Sequence, residues 1–431
     1  MKYYSLNKQA PNISFKQAVI KGIAPDRGLY FPENITPLDN KFFDNIDDLS
    51  NEEIAFETIK QFVSSDIPES ILKAIIDETL SFEFPVVMLS NNISTLELFH
   101  GPTMAFKDVG ARFMARCLGY FNKDNTNEVT VLVATSGDTG GAVAHGFLGV
   151  KGVNVVILYP SGKVSEIQEK QLTTLSQNIT ALEVHGTFDD CQDMVKTAFL
   201  DDELTSQMQL TSANSINVAR WLPQLFYFIF AYKQLKSHYK NIVFSVPSGN
   251  FGNVCAGMMA QQLGLPIKHF IASNNENNVV TEYLKTQSYQ TRQSVQTISN
   301  AMDVGDPSNF VRIKEIYKNN FDKLKTNLSS YSFTDNETKS AMKEIKQHFN
   351  YVADPHGAVG YLGCQAYLKV NPNSHCVFLE TAHPTKFLDV VEEVIKKKQA
   401  LPKQIQSVMG KVKKSIKIKT YNELNSFLLK S

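Results

Sequence analysis

Past about residue 125 the chain settles into a rhythm: short continuous apolar runs alternate with longer stretches whose apolar residues recur every three or four positions. The runs at 130–135, 154–159, 180–185 and 207–212 predict buried strands, and 139–149, 165–175 and 188–200 between them predict helices. A longer helix is predicted from Asn217 to Leu235, followed by strands at 241–246, 268–273 and 375–380. Parallel strands need a crossover between them, usually a helix, so this alternation predicts α/β architecture with parallel sheets. Residues 1–80 lack the rhythm and predict a separate, mostly helical domain. The polar region 274–305, rich in Asn, Thr, Gln and Ser, is expected to cover a cleft. The Lys-rich stretch 395–419 is expected to be a solvated face.

Four motifs interrupt this framework where strands or loops turn into helices. His100 to Arg116 places Lys107 between a Gly/Pro/Thr loop and a helix carrying Phe106, Val109, Phe113 and Met114 on one stripe. An amine at the positive end of a helix dipole, beside apolar groups, is disfavoured in its charged form. A partly neutral amine can attack a carbonyl. Alone, the motif is equally an ordinary lysine on a helix surface. Ser245 to Asn253 runs from a strand through a Gly-rich turn into a small-residue helix, an arrangement whose free N–H groups hold an anion. It has neither the Lys-Ser/Thr ending of a triphosphate loop nor a G-x-G-x-x-G spacing, so a single phosphate fits best. Val131 to His145 repeats strand, turn and helix, with Ser136 and Thr139 offering hydroxyls. Cys376 to Phe387 leads from a strand to Thr381 and His383, where a hydroxyl can bond a ring nitrogen without requiring it to be protonated.

In this order, and together with the N-terminal run Phe15 to Pro32, these motifs resemble the threonine synthases, pyridoxal-phosphate enzymes of fold type II, in their long form with an extra N-terminal domain. The resemblance spans residues 1 to about 400 and fades in the C-terminal tail. It implies two open α/β subdomains with parallel sheets, plus a mainly helical N-terminal domain at 1–80. The catalytic core would be 81–431, with a smaller subdomain at about 125–215 inserted in the larger one. It further implies that Lys107 bonds the cofactor, pyridoxal 5'-phosphate, that Gly249, Asn250, Phe251, Gly252 and Asn253 cradle its phosphate, and that Thr381 faces its ring nitrogen. Many relatives contact the ring oxygen through an asparagine; here that position is Asp138. The implied reaction turns O-phospho-L-homoserine and water into L-threonine and phosphate. A lyase stopping at phosphate and a keto acid, or a relative that binds without catalysis, would share much of the same sequence.

Only six arginines occur, at 27, 112, 116, 220, 292 and 312. Arg112, in the His100 to Arg116 motif, and Arg220, in the run Ala213 to Gln224 that also resembles the family, are candidates to hold a carboxylate or phosphate through their planar forks, against helix-surface salt bridging. Lower-ranked substrate candidates are Ser136, Asp138, Thr139, Lys163 and Asn214. His145 and His383 read as packed histidines, and no His/Asp/Glu spacing suggests a metal. With 43 basic and 43 acidic side chains, the net charge argues against nucleic acid or an anionic membrane as partner. The five scattered cysteines form no C-x-x-C pair. The N-terminus reads as neither signal nor transit peptide, and no apolar run reaches the roughly 20 residues of a membrane span. A cytoplasmic enzyme acting on a small molecule, as monomer or homodimer, is the expectation.

Overall fold

Five parallel strands form one sheet and six form another in the computed structural model, which describes residues 1–123 and 128–430. The smaller sheet runs in the order Ile416–Ile418, Ile179–Val184, Val153–Pro160, Val129–Ala134, Gln209–Thr211. The larger runs Leu328–Ser332, His269–Asn274, Ile242–Pro247, His375–Glu380, Ile93–Glu97, Val86–Ser90, with only the last pair antiparallel. Strands 129–134, 242–247, 269–274 and 375–380 are buried at every residue. Helices cover both faces of such sheets, which is why these strands read as unbroken apolar runs rather than alternating ones. The subdomain boundary expected near residue 125 falls outside the described residues.

Three expectations need correction. The helix expected from Asn217 to Leu235 is broken into Val218–Trp221, a 3-10 turn at Leu222–Gln224 and Leu225–Leu235. Pro223 has no N–H to give and interrupts the ladder. Residues 1–80 are mainly helical but begin with a three-stranded antiparallel sheet, Ile13–Ser14, Lys2–Ser5 and Tyr30–Pro32. Phe15, Ile54 and Phe62 of this segment pack into the same apolar cluster as Phe113 and Phe226. The Lys-rich tail is only partly a solvated face. Its Ile416–Ile418 adds a parallel strand beside Ile179–Val184, and Lys413 pairs with Glu169 at 2.6 Å and Glu183 at 2.8 Å. The Ser-Ile-Lys-Ile-Lys alternation carried that strand, and the charge masked it.

The polar region 274–305 owes its composition to bonding among its own side chains. Asn275 Nδ2, Asn277 Nδ2 and Thr297 Oγ1 all donate to Asp303 Oδ1, at 2.9, 3.1 and 2.7 Å. The segment packs on the 249–253 turn: a Cβ on Gly249 would come 2.7 Å from Ala301 O. Among the described residues, no helix is long and apolar enough to cross a membrane.

Candidate active site

Lys107 opens the helix Lys107–Asn122. The preceding residue is fixed from two sides: Phe106 N–H donates to Thr381 O at 2.8 Å, and Tyr227 OH donates to Phe106 O. The helix lies almost backbone to backbone on Val218–Trp221, since a Cβ on Gly110 would approach Arg220 O to 2.5 Å. Among the described residues the Lys107 amine has no hydrogen bond or ion pair. Burial lowers its pKa to about 8; Arg220 and Lys386 push the same way and Asp138 opposes them. A substantial free-base fraction near neutral pH is what a carbonyl-bonding lysine requires.

The turn after strand 242–247 is built to receive an anion. Phe251 adopts a left-handed φ of 60°, which swings the chain into the helix Gly252–Gln262. Among the described residues, the N–H groups of Gly249, Asn250, Phe251, Gly252 and Asn253 have no protein acceptor. Five uncommitted donors at the N-terminus of an eleven-residue helix match a phosphate group, with the helix dipole adding to the attraction. The side chains shape the turn instead. Asn253 donates to Pro247 O at 2.8 Å, and Asn250 donates to Ser215 Oγ at 2.9 Å and accepts from Ser308 N–H at 2.6 Å. Ser215 ties this turn to the segment that leads into Arg220.

Arg220 is 3% exposed, and among the described residues its Nε and Nη1 have no partner. A buried guanidinium without a counter-ion is costly unless an anion arrives from outside. Asn214, on the same segment, has an equally unpartnered Oδ1. Across the cleft, the helix Asp138–Phe147 begins after the Ser136 turn. Ser136 and Thr139 are half-buried, and among the described residues neither hydroxyl makes a hydrogen bond. Asp138 is engaged: it pairs with Lys386 at 2.6 Å and accepts from Gln168 Nε2 at 3.0 Å. Burial alone would raise its pKa, but Lys386 and Lys107 hold it down at about 2.

Not every candidate gathers here. Arg112 donates to Glu78 O and, at 3.0 Å, to Ser81 Oγ. Both bonds leave from Nη2 toward the end of helix Glu69–Thr79, and the buried Nε has no partner among the described residues. Lys163 is exposed on the turn after strand 153–160. His383 bonds Thr385 Oγ1 at 2.8 Å, and burial drops its pKa to about 4, as for a packed histidine. Among the described residues no group of three His, Cys, Asp or Glu is placed to hold a metal.

Residues 94–381 match the family described as pyridoxal-phosphate dependent enzyme. Residues 2–80 match the threonine synthase N terminus family, and 357–427 the threonine synthase C-terminal family. Threonine synthase of Buchnera aphidicola subsp. Baizongia pistaciae is 43% identical over the full length of both chains. The crystal structure of threonine synthase from Escherichia coli superposes with a TM-score of 0.94, at 39% identity, covering all of both chains. The PLP-bound threonine synthase from Brucella melitensis gives 0.93 at 31% identity, covering 99% of this chain and 98% of that one. The chain belongs to the threonine synthase family. Family likeness therefore extends through the C-terminal tail, where the motifs alone had faded.

Two residues of this threonine synthase family member escaped the motif reading. Lys386 was in view within His383–Phe387, yet nothing local distinguishes a lysine that will be wholly buried. Arg312 was counted only among the scarce arginines; it is fully buried and lies over the Trp221 ring at 4.4 Å. Thr381, 7% exposed, keeps its hydroxyl unbonded among the described residues at the end of strand 375–380. Behind it, Glu380 is fully buried with Oε1 unpartnered. Burial, reinforced by Asp354 and Glu97, holds its pKa well above the usual carboxylate value of 4.5. Above about pH 4.5 the folded chain therefore keeps a proton that the unfolded chain has released. Stability should fall as pH rises through that window, by up to ~1.4 kcal/mol per pH unit. Glu380→Gln is expected to flatten this slope in urea denaturation compared at about pH 6 and about pH 8; an unchanged slope would place a charged carboxylate there.

Proposed function

We propose that this cleft converts O-phospho-L-homoserine and water into L-threonine and phosphate. Three observations carry this reading: one buried low-pKa amine, the nearby Arg220 guanidinium whose Nε and Nη1 have no partner among the described residues, and five uncommitted N–H donors on the 249–253 turn. One anion site fits the phosphate of pyridoxal 5'-phosphate, and the other fits an anionic group of the substrate. The bound cofactor supplies a carbonyl carbon for an amine and a ring that accepts electron density from the substrate's Cα.

The chain's own residues do the remaining work. Gly249 to Asn253 would hold the cofactor's phosphate through main-chain donors, and the Thr381 hydroxyl would serve its ring nitrogen. Lys107, whose free-base form burial favours, would take the Cα proton and later return one. Arg220, with Asn214, holds the substrate's anionic end. Ser136 and Thr139, with free hydroxyls on the opposite wall, bind the substrate carboxylate or water. In the overall balance Cβ loses a proton and gains the hydroxyl, the γ-phosphate departs, and the terminal carbon gains a proton to become methyl.

Incubation of the holoenzyme with O-phospho-L-homoserine should release threonine and phosphate one for one. Phosphate accompanied by a keto acid, without threonine, would make the protein a lyase on the same scaffold. Arg220→Met, which removes the fork but keeps the volume, is expected to raise KM for the phosphorylated substrate at least ~10-fold, the loss of a charge-assisted bond. An unchanged KM would remove Arg220 from the substrate site.

A further inference from the structure

The amine of Lys386 is completely buried on the turn Pro384–Phe387 after the central strand 375–380 of the larger sheet. It sits 2.6 Å from Asp138 Oδ1 and donates to Thr103 O at 2.8 Å. Asp138 belongs to the other subdomain, at the start of the helix that follows strand 129–134. The same contact is braced on both sides. Gln171 Nε2 donates to Thr103 O at 3.1 Å, and Gln168 Nε2 donates to Asp138. Thr103 itself donates to Asp108 through N–H, at 2.9 Å, and Oγ1, at 2.5 Å. A strap of polar contacts thus joins the two subdomains, with one ion pair in the middle.

The charges around Lys107 come from three elements: Asp138 on one side of the strap, Lys386 on the other, and Arg220 on the helix packed against its own. Asp108, His145 and His383 also face Lys386. Both histidines are pushed down to about 4, first by burial, and so add no charge near neutral pH. Were Asp138 unpaired, its carboxylate would favour the protonated form of Lys107. Paired with Lys386, it leaves burial to decide, and burial favours the free amine.

We propose that Lys386 is a positioning residue for the reaction: through its ion pair with Asp138 it ties the two subdomains together and neutralises the carboxylate beside Lys107. This rests on the assignment of Lys107 as the cofactor-bearing base. The test uses holoenzyme and follows the visible absorbance of bound cofactor against pH, a readout of the Lys107 nitrogen that needs no substrate. Lys386→Met should move the midpoint to higher pH, by on the order of one unit for an unbalanced neighbouring charge. Its kcat for threonine formation should fall more than KM changes. Lys386→Arg, keeping the charge, should restore the wild-type midpoint. If Lys386→Met does not fold, Asp138→Asn leaves Lys386 in place and should move the midpoint the opposite way. A Met variant that binds cofactor with the wild-type midpoint and turnover, or an Asn variant with an unmoved midpoint, would overturn the proposal. Failure of wild-type enzyme to make threonine would instead overturn the functional reading, leaving the midpoint test intact.

Discussion

Lys107→Ala is expected to yield a folded, colourless protein with turnover reduced by more than ~10⁴-fold. General acid–base catalysis by one positioned group is worth about 10²–10⁴, and this variant also loses the covalent hold on the cofactor. The fold should tolerate it. Lys107 makes no hydrogen bond or ion pair among the described residues, and its helix is held by Phe106, Gly110 and the buried stripe through Val109, Phe113 and Met114. Removing an unpaired, disfavoured ammonium costs little and relieves its desolvation. Far-UV circular dichroism and thermal melting should therefore match wild type while the visible band disappears. A variant that unfolds would make Lys107 a structural residue, and one that keeps turnover would remove it from the chemistry.

The largest stability loss is expected from Arg312→Lys. The guanidinium makes five hydrogen bonds: to Tyr30 O from Nε and Nη2, to Ser215 O and Asn309 Oδ1 from Nη1, and to Ile216 O from Nη2. No carboxylate balances it; carbonyl oxygens and the Trp221 face do so instead. An ammonium cannot reproduce that planar fork, and buried carbonyls left short of a donor cost about 1–3 kcal/mol each. A loss on the order of 3–5 kcal/mol is expected in urea denaturation. Because Ser215 accepts from Asn250 of the anion turn, cofactor affinity should fall with it. Wild-type stability in this variant would show the contacts to be dispensable.

How much of this was legible in the chain depends on whether the signal was local. Strands 129–134, 242–247 and 375–380 are buried on both faces, so their apolar runs announced them, and the glycine turn after 242–247 pointed to the free N–H groups there. Lys107 was visible because its helix carried a clear stripe. Lys386 and Arg312 were not, because their meaning lies in partners far away in sequence: Lys386 in Asp138 and Thr103, and Arg312 in Tyr30 and Ser215. Arg112 is the complementary case. It lies in the right motif, but its place on the helix turns it toward Glu78 and Ser81. The strand at 416–418 was hidden because three residues of alternation carry less weight than a run of lysines.

The central claim is that, of the two lysines beside Asp138, Lys107 bears the cofactor and Lys386 does not. Borohydride reduction of the holoenzyme fixes the pyridoxyl group to whichever lysine holds it, and peptide mass mapping then locates it. The added mass is expected on the peptide containing Lys107 and none on Lys386. A pyridoxyl group on Lys386 would contradict it and exchange the roles of the two residues.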